Sequence, residues 1–256
     1  RTFHAPMLPG AYEELGALPV VLDHLDSLRT LDLVALDREA EQIWMFKHAV
    51  TRDVAYESLP FALRSLLHGR VGEYLEHTEA DDLDRVVPLL EHHYWRSDRE
   101  EKKREYLGKA ARQAQDSYAN SAAIVYYDRL LPLLDGVERV AEAIRLVDVL
   151  QLVGETQRAT EVATEAREIA VGLGDAATVA RCDHSLAECA RRLGQFDEAA
   201  ARLEAAREGY VSAGDRAGIA DVYHLGGTLA NQRGDAAAAR ESYLRSLEIR
   251  EQLGDQ

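Results

Sequence analysis

The stretch LAECARRLGQFDEAAARLEAAREGYVSAGD, Leu186 to Asp215, decides the fold. It holds two alanine- and leucine-rich segments of helical length, separated at Gly194, where a helix C-terminus needs a left-handed residue. Gly214-Asp215 closes the second segment and starts the link onward. The same pattern returns 40 residues away in both directions. Gly154, Gly194 and Gly234 align, as do Ala159, Ala199 and Ala239, then Glu168, Glu208 and Glu248. Gly174-Asp175, Gly214-Asp215 and Gly254-Asp255 complete the register. Several residue types recurring at one period mark a repeat. Each unit therefore reads as a helix–turn–helix hairpin, with a small alanine five residues after the turn to let the helices approach.

These residues resemble tetratricopeptide repeats, in the longer variety with an extended second helix. Leu186, Ala187, Ala190, Gly194, Ala199, Leu203 and Ala206 carry the resemblance in the middle unit. Tyr223, Gly227, Ala230, Gly234, Ala239 and Tyr243 carry it in the next. The unit around Gly154 is looser, with Val147 where a small residue is usual. Traces continue upstream through Leu90 to Tyr94 and Tyr118 to Tyr127. The resemblance implies a mainly α fold, an α-solenoid of stacked hairpins over residues 81–256 that is clear from about 137. It also implies a concave groove lined by the first helices.

Helical spacing places Arg181, His184, Glu188 and Arg191 on one face, and Asp221, His224, Thr228 and Asn231 on the equivalent face 40 residues later. Cys182, Leu186, Cys189 and Leu193 fall on the opposite, apolar face. His184 and His224 share a repeat position and are expected as neighbours along the groove. A polar stripe of this kind suits a protein or peptide ligand, and equally a solvated surface. The lysine–asparagine clamp that some such repeats use for C-terminal carboxylates is not at matching positions.

Residues 1–80 do not follow the period. Leu18 to Leu31 has amphipathic helix spacing, Leu33 to Leu36 reads as a short strand, Asp37-Arg38-Glu39 as a turn, and Gln42 to Lys47 as a second strand. Thr51 is the expected N-cap of a helix reaching Ser58, and Leu63 to Leu75 continues as a longer helix after Pro60. Helix, β-hairpin, helix outlines a small winged-helix-like α/β module. Winged helices often read DNA, but this segment carries 7 Lys/Arg against 13 Asp/Glu, a net of −6. That charge argues against a phosphate backbone.

Phe46-Lys47-His48-Ala49 and Asp53 to Leu59 resemble the segment after the nucleotide-binding domain of bacterial signal-transducing (STAND-type) AAA-like ATPases. Leu67-His68, Arg70-Val71, Leu75-Glu76 and the start Arg1-Thr2-Phe3 extend the match. Many members of that class are joined to class III adenylyl cyclase domains, others to DNA-binding output domains. The resemblance implies an upstream nucleotide-binding domain binding ATP or ADP in a longer parent. It also implies that His48 touches the phosphates of bound ADP there, as a ring N–H can donate to a phosphate oxygen. The match departs at Pro60 to Ser65, where relatives are richer in arginine. A transcriptional regulator acting through its winged helix, or through an output domain elsewhere, is the alternative.

The 256 residues carry a formal charge of −15 and 46% hydrophobic residues. That is a globular mix poorly suited to nucleic acid. No run approaches the roughly 18 apolar residues of a membrane span. Cys182 and Cys189 lie about 10.5 Å apart along one helix, too far for a disulfide, and read as small core residues in a reduced, cytoplasmic setting. The chain opens without methionine, and we expect a fragment of a longer protein. No phosphate-binding Gly-x-x-x-x-Gly-Lys loop, His-Glu-x-x-His or glycine-elbow nucleophile occurs, so neither cofactor nor enzyme activity is expected of this chain alone. His92 and His93, adjacent on a helix, point about 100° apart and are ill-placed to share a metal. An apolar repeat end near Gln256 is expected to pair two copies or meet further repeats.

Overall fold

A computed structural model describes residues 2–254, which divide into two compact units on either side of Ala110 and Ala111. Arg1 of the ATPase resemblance and Asp255 of the last Gly-Asp pair lie outside the described residues.

The first unit opens with strand β1 (Thr2–His4), a short helix α1 (Met7–Ala11) and helix α2 (Leu18–Thr30). The hairpin β2 (Val34–Arg38) and β3 (Ile43–Phe46) follows, then helices α3 (Ala49–Ser58), α4 (Phe61–Thr78) and α5 (Val87–Trp95). The expected helix–hairpin–helix order is present. A third strand was not foreseen: β1 pairs antiparallel with β3, Phe3 opposite Trp44, in a sheet of order β1-β3-β2. Three residues are too few to display alternation, so only pairing reveals this strand. Ala5, Val21, Leu25, Val34 and Trp44 form the core beneath it.

Two local expectations are corrected. The turn lies at 39–42, because β2 runs through Asp37 and Arg38. Gln42, at φ +51°, takes the left-handed position there. Helix α3 starts at Ala49, so His48, with extended backbone, occupies the N-cap position and Thr51 sits inside the helix. Strand β3 ends at Phe46, only Lys47 and His48 separate it from α3, and no side chain caps that helix. His48 is exposed, and α3 buries none of its residues.

Further along, Tyr94 and Tyr106 stack at 5.2 Å and both donate to the Glu76 carboxylate, at 2.6 and 2.5 Å. Lys102 donates to the same group at 2.7 Å. Burial would raise the Glu76 pKa, but these donors outweigh it and hold it below the usual carboxylate value.

Helix α6 (Glu100–Asp116) leads into the second unit, which continues with α7 (Asn120–Leu130) and three hairpins in the 40-residue register. These are α8 (Gly136–Leu152) with α9 (Thr156–Leu173), α10 (Ala176–Arg192) with α11 (Phe196–Ala213), and α12 (Arg216–Gln232) with α13 (Ala236–Leu253). Gly154, Gly194 and Gly234 take φ of +81°, +75° and +84°, as the sequence predicts. At each, the next residue's N–H bonds back five positions: Glu155 to Leu150, Gln195 to Ala190, Asp235 to Ala230, at 2.9 to 3.0 Å. This closes the helix end with its carbonyls satisfied. Asp175 and Asp215 then cap the next helices, accepting from the N–H groups of Thr178 and Gly218.

Alanines dominate the seams. Ala159, Ala163, Ala166 and Ala170 form one buried face of α9, and Ala199 and Ala206 hold the matching places on α11. Cys182 and Cys189 are free and buried, as expected for core residues. Leu193 departs from the predicted apolar face: it is 44% exposed, because it lies in the turn after α10 has ended. Asp183, 2% exposed, accepts from Arg167 at 2.7 Å and Arg202 at 3.0 Å, tying α9 and α11 to α10.

The turn between α6 and α7 has the same geometry without glycine. Tyr118 holds φ +57°, and Ala119 N–H bonds to the Ala114 carbonyl at 2.8 Å. A left-handed residue with a Cβ costs about 1–2 kcal/mol, against about 0.5–1 kcal/mol of added chain entropy for glycine. Tyr118 is 79% exposed and gives up little packing. Tyr118→Gly is therefore expected to stabilise the protein by about 0.5–1 kcal/mol, read as an upward shift of the urea midpoint at unchanged slope.

Candidate functional site

Helices α10 and α12 carry the predicted polar stripes, and the structure brings most of those residues to one cleft. Its volume is about 320 Å³, and it is lined by His184, Glu188 and Arg191 from α10 with Asp221, His224, Leu225 and Thr228 from α12. Six of the eight predicted residues meet there. Arg181 and Asn231 sit at opposite ends of the stripe, exposed and outside the cleft. The reason is the helical repeat: residues three and four apart share a face, and equivalent positions of successive hairpins are neighbours.

Charges in the cleft are largely paired. Arg191 grips Glu188 bidentately, Nε to Oε2 at 2.7 Å and Nη2 to Oε1 at 2.6 Å, and Arg192 adds a third bond at 2.6 Å. Arg192 also donates to the Gln151 carbonyl at 3.0 Å, anchoring the cluster to α8. Burial pushes the Glu188 carboxyl up, but the two guanidinium groups prevail and its pKa is lowered. Asp221 accepts from Arg250 at 2.7 Å.

His184 differs. Its Nε2 is buried with no hydrogen-bond partner in the protein. Burial lowers the pKa of the ring, outweighing the charges of Asp221 and Glu188 and a hydrogen bond to the Asp221 backbone. A neutral imidazole nitrogen of this kind can donate to or accept from a ligand amide, and an unsatisfied polar atom is costly until it does. His224 faces the same cleft and packs against Tyr243 at 5.5 Å between ring centroids. Tyr243 Oη donates to Thr228 Oγ1 at 3.2 Å. The cleft thus offers polar groups at graded depth along with apolar surface from Leu225.

Tyr243 and Leu225 were absent from the sequence-derived site. The signal for Tyr243 was available in register. Positions 163, 203 and 243 hold Ala, Leu and Tyr, while 147, 187 and 227 hold Val, Ala and Gly. The first set grows as the second shrinks. A Cβ on Gly227 would lie 2.7 Å from the Tyr243 ring, so the ring occupies the space a side chain would need.

Among the described residues, no group of three or more His, Cys, Asp or Glu side chains could hold a metal ion. No described helix is long and apolar enough to cross a membrane.

Residues 178–252 match the tetratricopeptide repeat family. No curated protein matches the chain. Among solved structures, BtubC (BKLC) from P. vanneervenii is similar at 16% identity and a TM-score of 0.57, over 80% of this chain and 87% of that one. A Rap protein complexed with competence and sporulation factor is similar at 20% identity and a TM-score of 0.57, over 79% of this chain and 58% of that one. YrrB, a tetratricopeptide repeat protein with an unusual peptide-binding site, is similar at 15% identity and a TM-score of 0.51, over 79% and 92%. At these identities the likeness is one of fold: a mainly α chain of stacked helical hairpins.

The Gly227–Tyr243 contact that backs the cleft gives a direct test. Gly227→Ala is expected to cost about 1–3 kcal/mol by overpacking against the ring. Adding Tyr243→Leu recreates the Ala187–Leu203 pair of the preceding hairpin and is expected to recover at least about 1 kcal/mol in a double-mutant cycle. Thermal or urea unfolding of the four proteins measures it.

Proposed function

We propose that the hairpin array is an interaction module that receives an extended peptide or protein segment in the cleft between α10 and α12. The observation that carries this reading is the buried, unpartnered Nε2 of His184 in a cleft whose other charges are already paired. Such a cleft favours backbone amides over a strongly charged ligand, because no lone charge there calls for a counterion. Tetratricopeptide repeats in residues 178–252, and fold neighbours described as holding a competence factor or a peptide-binding site, support it. A partner screen is followed by Arg181→Ala, Glu188→Ala and His224→Ala in the intact chain. Glu188 and His224 substitutions are expected to weaken binding about tenfold, equivalent to about 1.4 kcal/mol, and Arg181→Ala to matter less. Binding unchanged by all three removes the groove from the account.

The larger setting we propose is a signalling ATPase in which residues 1–80 form a winged-helix-like relay between the array and an upstream nucleotide-binding domain. The helix–hairpin–helix order of α2, β2, β3 and α3 supports it, as do the exposed His48 and the unburied faces of α3. In that parent His48 would hold ADP through its phosphates and keep the resting state closed. The acidic surface favours this over direct DNA contact. The setting is cytoplasmic, and the exposed Leu244, Leu247 and Leu253 of α13 support pairing between two copies. ADP retention by the full-length parent tests the relay: His48→Ala is expected to release ADP at least tenfold faster, and equal retention would sink the idea.

A further inference from the structure

Between α3, α4 and α5 lies a cleft of about 390 Å³ lined by Arg52, Asp53, Tyr56, His68, His92 and Arg96. Neither the ATPase resemblance nor the repeat array assigns it a role. Its inner wall is a hydrogen-bonded chain. Tyr56 Oη lies 3.0 Å from His68 Nε2, and His68 Nδ1 lies 3.0 Å from His93 Nδ1. One proton per ring satisfies the whole chain: Tyr56 donates to Nε2 of His68, whose Nδ1–H donates to Nδ1 of His93. A second proton on His93 would set two N–H groups against each other.

The surroundings keep these rings neutral. Burial is the main cause for His68, helped by Arg96, His92 and Arg64, and its pKa falls to about 4. Burial again leads for His93, with His68, His92 and Arg96 adding to it, and its pKa falls to about 3. Tyr56 faces the chain from α3, where Arg52 and Asp53 also line the cleft. At neutral pH the positive charge here therefore belongs to arginines.

Three guanidinium groups gather around the cleft, with one carboxylate among its lining residues. Asp53 is bound by Arg52 through Nε at 2.8 Å and Nη2 at 2.6 Å. Arg96 Nη1 donates to the Nδ1 and backbone carbonyl of His92, at 3.2 and 3.0 Å, which are neutral acceptors. Because His92 Nδ1 accepts that bond, a neutral His92 carries its proton on Nε2 and is a donor. Arg64 lies 5.1 Å over the Tyr56 ring, and its Nε is buried without a partner. In a chain of net charge −15, such a surplus of donors and positive charge in one concave place calls for an anion.

We propose that this cleft binds a small phosphate-type dianion, held by the guanidinium group of Arg96, by the Arg52 Nη1 that lies outside its bond to Asp53, and by the His92 ring. A tetrahedral oxyanion suits donors from two helices, since the planar guanidinium of Arg96 can engage two of its oxygens and leave the others to Arg52 and His92. The volume leaves room for a small organic group on the phosphate. A free small anion fits better than a phosphate on a membrane, because a large negative surface would repel the acidic chain.

The test titrates the intact 256-residue chain with inorganic phosphate and with sulfate, by calorimetry and by NMR of the histidine rings. Saturable binding in the millimolar range or tighter is expected, with the His68, His92 and His93 rings shifting and those of His184 and His224 still. Arg96→Gln is expected to weaken it at least tenfold, while Arg191→Gln in the repeat cleft leaves it unchanged. Arg52→Gln serves as a second variant if Arg96→Gln loses its helical circular dichroism. Absence of saturation by about 10 mM, well beyond millimolar affinity, overturns the proposal, as does binding by Arg96→Gln and Arg52→Gln equal to that of the unaltered chain. Vesicles containing phosphatidylinositol phosphate form the second arm. No sedimentation with them supports a free anion, and sedimentation abolished by Arg96→Gln overturns that assignment in favour of a headgroup.

Discussion

The gap between the two helices of a hairpin is the constraint on which the repeat unit depends. A constant gap requires that the two side chains facing each other across it sum to a near-constant volume, because protein interiors are close-packed. Gly227 faces the Tyr243 ring, and the 40-residue register puts Ala187 with Leu203 and Val147 with Ala163 at the equivalent positions, with bulk moving from one helix to the other. Val147, Ala163 and Ala187 are fully buried, and Ala187 and Leu203 share one core cluster. The glycine of the third pair is where the Tyr243 ring rests. The hairpin around Gly154 is loose only when its first helix is compared with a pattern. Read in register with its second helix, it carries the larger residue on the first helix and alanine on the second, both buried.

That constraint also shapes the candidate groove. Moving the bulk from the first helix to the second brings an aromatic ring behind α12, against His224 and Thr228. The cleft with α10 is thereby backed by a tyrosine rather than an aliphatic residue. Asp183 works in the same direction from within. Its double ion pair draws Arg167 and Arg202 toward α10, and the Arg191–Glu188–Arg192 cluster orders the opposite face. Charges engaged with one another leave His184 as the group with unmet hydrogen-bonding capacity.

Legibility followed the strength of local signals. The three hairpins from Gly136 to Leu253 could be placed because left-handed turns select glycine and buried seams select alanine, at one period. The α6–α7 turn has the same hydrogen bonds, but Tyr118 occupies the left-handed position and hides it from any search for glycine. Strand β1 was silent because three residues carry no periodicity. The start of α3 was misplaced because a threonine advertised a cap that the backbone does not use. In the site, helical spacing located six cleft residues, whereas Tyr243 lay on another helix and could be reached only through packing.

The sequence by itself determined the repeat length, the hairpin turns, the polar stripe on successive first helices and the acidic character of the chain. These follow from local rules: backbone handedness at glycine, the 3.6-residue helical period and summed charge. Only the tertiary structure decided which of those polar groups are already engaged. Pairing Glu188 with Arg191, leaving His184 Nε2 buried and alone, and joining Tyr56, His68 and His93 into one chain all depend on distances between helices remote in sequence. Local sequence sets which face a side chain occupies. Whether a buried polar atom finds a partner there is settled by the few ångströms that separate one helix from the next.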